Sequence, residues 1–84
     1  MKYSIELSNR ARKFLPTLSE KNFKLVAQKI DSLQADPYQS GIKKLKGYDN
    51  VYRIRAGNFR ILYTIDGGKL IIHVVDIDAR KDIY

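Results

Sequence analysis

The spacing of apolar residues changes near the middle of the chain. In "YSIEL", Tyr3, Ile5 and Leu7 alternate with Ser4 and Glu6, the period of a short, half-buried strand. Ser8 or Asn9 can cap a short helix running through Phe14 and Leu15, which Pro16 ends because proline cannot supply the next amide. In "TLSEKNFKLVAQKIDSLQADP", Ser19 is placed to cap a second helix. Phe23, Val26, Ala27, Ile30 and Leu33 recur at helical spacing on one face, with Lys21, Lys24, Lys29 and Asp31 on the other. Ala35 is the expected last helical residue, since Asp36 precedes Pro37 and is pushed out of the helical region.

Beyond Pro37 the period becomes two. "QSGIKKLKGYDN" reads as a connection, and "VYRIR", "FRILYTI" and "KLIIHVVDI" read as strands separated by the turn signals Gly57-Asn58 and Gly67-Gly68. The order strand, helix, helix, three-stranded antiparallel meander predicts one α+β domain over residues 1–84, with both helices on one face of a sheet of about four strands.

A two-residue turn at Gly57-Asn58 sets Arg55 opposite Arg60, Arg53 opposite Leu62 and Tyr52 opposite Tyr63. Side chains alternate faces, so Arg53, Arg55 and Arg60 share one side, and Tyr52, Ile54, Phe59, Ile61 and Tyr63 share the side that meets the helices. Like charges directly opposite on a sheet are destabilising, on a cross-strand scale of roughly 0.2–1 kcal/mol. Such a cost persists most naturally where an anion binds; the plainer reading is a solvated face whose cations discourage edge pairing. A two-residue turn at Gly67-Gly68 carries the register on and sets His73 opposite Leu62, on the arginine side. A single histidine in "LIIHVV" is more often structural than catalytic, and it stands as a reserve candidate.

Composition narrows the chemistry. With no cysteine and one histidine, neither a disulfide framework nor a cysteine–histidine zinc cluster is available. The N-terminus lacks an apolar export segment and no apolar run is long enough to span a bilayer, so a soluble, cytoplasmic protein without membrane partners is expected. The formal net charge of +7 suits a polyanionic partner. Between Lys43 and Arg60, six cationic side chains (Lys43, Lys44, Lys46, Arg53, Arg55, Arg60) face one acid, Asp49, so most of the excess charge is local.

The second half, "KKLKG-YDN-VYRIRAGNFRILYTID-GGKLIIHVVDIDARKDIY", resembles the RelE branch of the RelE/ParE toxin superfamily. The resemblance lies in a lysine-leucine-lysine-glycine connection, an "R-I-R-x-G-x-[FY]-R-[IL]-x-Y" hairpin and an "R-[KR]-[DE]-[VI]-Y" ending. It implies the toxin of a type II toxin–antitoxin pair, held in check by a cognate antitoxin protein, that cuts mRNA in the ribosomal A site without metal or other cofactor. By motif position the catalytic candidates are Arg60, Arg80 and Tyr84, and the RNA-binding candidates are Lys44, Lys46, Arg53 and Arg55.

The reaction implied is transesterification by the RNA's own 2′-hydroxyl. It needs a base for the 2′-proton, cations for the charge on the five-coordinate phosphorane, and an acid for the leaving 5′-oxygen. Guanidiniums suit the second role, because their planar forks pair two phosphate oxygens and stay charged; for the same reason Arg53 and Arg55 cannot be the base. Tyr84 can stack on a base beside the cut, or act as base if neighbouring cations lower its phenol pKa. Ala79 stands where many members have His or Lys, and Asp78 where glycine is usual. Two alternatives therefore stay open: a ParE-like inhibitor of DNA gyrase, and a catalytically degenerate module that binds RNA or an antitoxin.

Overall fold

The structure is a computed structural model that describes residues 2–48 and 50–79. Its elements run β1 (Ser4–Leu7), α1 (Asn9–Phe14), a single 3₁₀ turn (Leu15–Thr17), α2 (Glu20–Ala35), β2 (Lys43–Lys44), β3 (Val51–Ala56), β4 (Phe59–Asp66) and β5 (Ile71–Ala79). Ser8 caps α1 by accepting from the Ala11 amide, and Ser19 caps α2 by accepting from the Asn22 amide, contacts each worth about 1 kcal/mol. Pro16 falls inside the 3₁₀ turn, which stops α1 and turns the chain toward α2.

The sheet has five strands in the order β1-β5-β4-β3-β2, one more than the sequence pattern suggests. The added strand is Lys43–Lys44, two residues inside what reads as a connection, too short to show any alternation. β5 lies between β1 and β4, parallel to the first and antiparallel to the second. Ala11, Val26, Ile30 and Leu33 from the helices close over Ile54, Ala56, Phe59, Ile61, Tyr63, Ile72, Val74 and Ile77 from the sheet in one buried cluster. Both helices thus cover one face, and among the described residues no helix or strand covers the other.

Two expectations change. Phe23, placed on the buried stripe of α2, is 40% exposed. The N-terminal half of α2 reaches the β3–β4 turn, with Leu25 lying against Gly57, and the sheet ends there, so less of it covers Phe23. Gly67-Gly68 is not a two-residue turn. Asp66 pairs with Ile71, and the four residues between are closed by the Asp66 carboxylate accepting from the Lys69 amide, with Leu70 in the left-handed region at φ 57. A bulge between Leu62 and Tyr63 then shifts the β4–β5 register once more.

Candidate RNA-binding face

The β3–β4 hairpin forms as its alternation predicts. Ala56 pairs with Phe59 across a two-residue turn that has positive φ at Gly57 but not at Asn58, the pattern of a type II′ turn with glycine first. Arg55 therefore pairs with Arg60, Arg53 with Leu62 and Tyr52 with Tyr63. The tyrosines, stacked 5.9 Å apart, face the helices, and Arg53, Arg55 and Arg60 point to the uncovered face.

Each arginine sits in a row that crosses the sheet. Lys43 on β2, Arg53 on β3, Leu62 on β4 and Asp76 on β5 make one row, and Arg55, Arg60 and Asp78 make the next. A third row holds Val51, Thr64, His73 and Glu6. The face is accordingly polarised: cations occupy the β2–β3–β4 side, and the acids Glu6, Asp76 and Asp78 occupy β5 and β1. Neighbouring strands lie ~4.8 Å apart, inside the ~8 Å screening length of physiological salt, so the cations of β2–β4 add to a field that attracts a polyanion, while on β5 Asp76 is already 3.6 Å from Arg10 of α1.

Asp78 also bears on the cost of placing Arg55 beside Arg60. Arg60 has a like charge on one flank and a carboxylate on the other, and Arg60 Nε and Asp78 Oδ1 are both shut off from solvent. Arg55 is exposed and keeps its charge toward solvent.

His73 lies opposite Thr64, not Leu62, because the four-residue loop slides β5 along β4; the bulge lies farther on, between Tyr63 and Leu62. It remains on the uncovered face, but its Nδ1 is 3.3 Å from Glu6 Oε1 at the acidic side. It is five residues from Asp78, the partner of Arg60, or roughly 16 Å along the strand at about 3.3 Å per residue. A group that far away does not serve a phosphate held by Arg60.

Residues 5–84 match the family model of the ParE toxin of the type II toxin–antitoxin system parDE. The chain belongs to the RelE/ParE toxin superfamily. Toxin RelE3 of Methanocaldococcus jannaschii is 38% identical over 73 residues, covering 86% of this chain and 81% of that protein. RelE1 of the same archaeon is 36% identical over 87 residues, covering 100% of this chain and 97% of its own length. Among solved structures, the archaeal RelE–RelB complex from Pyrococcus horikoshii OT3 contains a chain that matches with a TM-score of 0.84 at 22% identity, covering 98% of this chain and 99% of that one. The RelB–RelE antitoxin–toxin complex from Methanococcus jannaschii matches at 0.72 with 30% identity and 94% of each chain covered. This chain is thus a RelE-like toxin of a type II toxin–antitoxin system.

Of the residues singled out for this RelE-like toxin, Arg53, Arg55 and Arg60 come together on the uncovered face. Arg80 and Tyr84 lie outside the described residues. Lys44 pairs with Tyr52, whose side chain faces the helices, so by alternation Lys43 and not Lys44 joins the arginine rows. Lys44 and Lys46 instead rim a shallow depression with the ring of Tyr48, which is 62% exposed. A ring between two lysines can stack on a base while the ammoniums meet the flanking phosphates. The pattern cue for this toxin's acids was present: "DID" alternates across from Arg60 and Leu62, but only the true register shows which cations they adjoin. Lys43 carried no cue, since a two-residue strand has no period.

Proposed function

We propose that this toxin is a ribosome-dependent mRNA endoribonuclease that acts in the cytoplasm on mRNA in the A site. The observation that carries the reading is the row geometry of Arg53, Arg55 and Arg60, three guanidiniums on the uncovered face with Lys43 extending them to the sheet edge. Phosphates bind along β2–β4, and the acids of β5 bound the track on the other side. At the cut, the 2′-oxygen attacks phosphorus, its proton passes to a base, the bond to the 5′-oxygen breaks, and that oxygen takes up a proton. The products are a 2′,3′-cyclic phosphate and a 5′-hydroxyl. Arg60 stabilises the phosphorane charge from a strand rather than a loop, so its orientation is set before the substrate arrives. Arg80 and Tyr84 are assigned to the same centre by motif position, as a second cation and as the stacking or proton-transfer ring.

A cognate antitoxin is part of the proposal. The relatives from Pyrococcus horikoshii and Methanococcus jannaschii are solved as complexes of RelE with RelB. A cationic face favours an acidic or amphipathic partner segment. Gyrase inhibition is the second reading, favoured by the match to a model described as ParE. Primer extension on an mRNA in a translating extract separates them. New 5′ ends that require both the protein and translating ribosomes support the nuclease. Their absence, together with loss of gyrase supercoiling activity, supports the other reading.

A further inference from the structure

β2 is so short that it covers only Tyr52 and Arg53 of β3, and the outer edge of β3 from Ile54 onward is left without a strand partner among the described residues. At that edge lies a cleft of about 230 Å³ lined by Lys29, Ser40, Gly41, Lys43, Arg53, Ile54 and Arg55. Its four cations come from three separate elements: Lys29 from α2, Lys43 from β2, and Arg53 and Arg55 from β3. No acid lines it. Lys29, Lys43 and Arg55 have no carboxylate within 4.0 Å among the described residues, whereas Lys24 on the same helix is paired with Glu20. By its spacing, Lys29 belongs to the solvated side of α2; the fold instead turns it to the sheet edge.

We propose that this cleft is a separate phosphate-binding subsite for single-stranded RNA, in which Lys29 and Lys43 clamp a phosphodiester away from the one cleaved. The inference rests on the RNA reading of the uncovered face and extends it around the edge of the sheet. β4, which carries Arg60, is one strand spacing from β3 and two from β2, or ~10 Å from β2. The cleft therefore takes a different phosphate from the one at Arg60. Arg53 and Arg55, lining the cleft and also standing in the rows that lead to Arg60, join the two positions. Cations from a helix, an edge strand and an inner strand hold the RNA against both sliding and rotation. Lys29 and Lys43 are binding residues with no part in proton transfer.

The test uses the full chain and a short RNA oligonucleotide methylated at every 2′-oxygen, which has no nucleophile and so reports binding without cleavage. Anisotropy titrations across a salt series give the slope of log K against log salt, which is about 0.7 per phosphate neutralised on a single strand. Lys29→Ala combined with Lys43→Ala is expected to weaken binding several-fold and to flatten the slope by about 0.7 or more. Lys29→Arg is expected to keep the slope. Lys21→Ala combined with Lys24→Ala, the same loss of two charges elsewhere on α2, is expected to leave the parent slope less changed than the cleft double variant does. Should the double variant not fold, Lys43→Gln at its exposed edge position carries the same test. An unchanged slope, or equal flattening by the Lys21 and Lys24 double variant, overturns the subsite. Flattening for oligoglutamate of matched charge but not for RNA also overturns it and makes the cleft a peptide site. A flattened slope in a protein that produces no cleavage in the translating extract leaves the subsite standing and removes the nuclease reading alone.

Discussion

Replacing Tyr63 with phenylalanine is expected to loosen the connection that carries the basic edge, and the cost follows from one hydrogen bond. Tyr63 is fully buried on β4, and its hydroxyl donates to the Pro37 carbonyl at 2.9 Å, tying the sheet to the start of the connection between α2 and β2. Ser40, Gly41 and Lys43 follow in that connection. Phenylalanine keeps the ring and its stacking on Tyr52 but leaves the Pro37 carbonyl without this donor, a loss of about 1–2 kcal/mol. For a chain of this size that lowers Tm by roughly 4–16 °C near neutral pH. Burial, followed by the charges of Tyr52, Asp36 and Tyr38, pushes the Tyr63 phenol well above its ordinary pKa. The folded state therefore holds this proton more tightly than the unfolded chain. The stabilisation is complete below the unfolded value of about 10 and is lost at up to about 1.4 kcal/mol per pH unit above it, until pH passes the raised folded value. Urea unfolding followed by circular dichroism, at neutral and alkaline pH, should show Tyr63→Phe weaker at the first and approaching the parent at the second. Equal stability near neutrality, or parallel losses in both proteins above about pH 10, would refute the argument.

Two further outcomes follow from the described face and hairpin, and a third from the motif that ends at Tyr84. Arg60→Ala should lower ribosome-dependent cleavage by roughly 10²–10³-fold, the scale of losing one preorganised donor, whereas His73→Ala should leave cleavage near the parent rate; primer extension with quantified ends reads both. Gly57→Ala places a side chain at φ 63 and brings its methyl to 2.5 Å from Leu25 Cδ2. Leu25 is partly exposed and can yield, so the backbone term dominates and chemical denaturation should show a loss of about 1–2 kcal/mol. Tyr84→Phe should preserve cleavage if the ring only stacks and abolish it if the hydroxyl carries a proton, a distinction read by single-turnover rates on programmed ribosomes.

The hairpin that carries the arginines was legible because three independent signals agree there: alternation, a glycine-first turn, and aromatic residues on one side only. The cap Ser19, and Ser8 as one of two candidates with Asn9, were legible for a similar reason, since a short polar side chain ahead of an apolar periodic run satisfies the first free amides. The β4–β5 connection misled because its length depends on the Asp66 side chain and on a left-handed Leu70, neither of which a glycine pair announces. That error carried His73 from Thr64 to Leu62, and so along β5 from the row of Val51 and Glu6 into the row of Arg53. It left His73 on the correct face, because the β5 register differs there by an even number of residues. Lys29 escaped notice for another reason. Helical periodicity separates apolar from polar sides, but only the sheet edge beside α2 gives Lys29 its cleft.

The position of β5 between β1 and β4 also governs when this toxin can first act. Ser8 on the β1–α1 junction donates to the Val75 carbonyl, 67 residues later in the chain, so the first strand finds its neighbour only after both helices and β2–β4 have been made. Chains leave the ribosome at about 5–20 residues per second, so β1 and both helices wait several seconds with their apolar faces uncovered. The β3–β4 hairpin can form locally, but the strand that joins it to β1 and helps close the core is the last of the described strands to be made. Neither the core nor the arginine face is therefore complete until β5 has emerged to join the hairpin to β1.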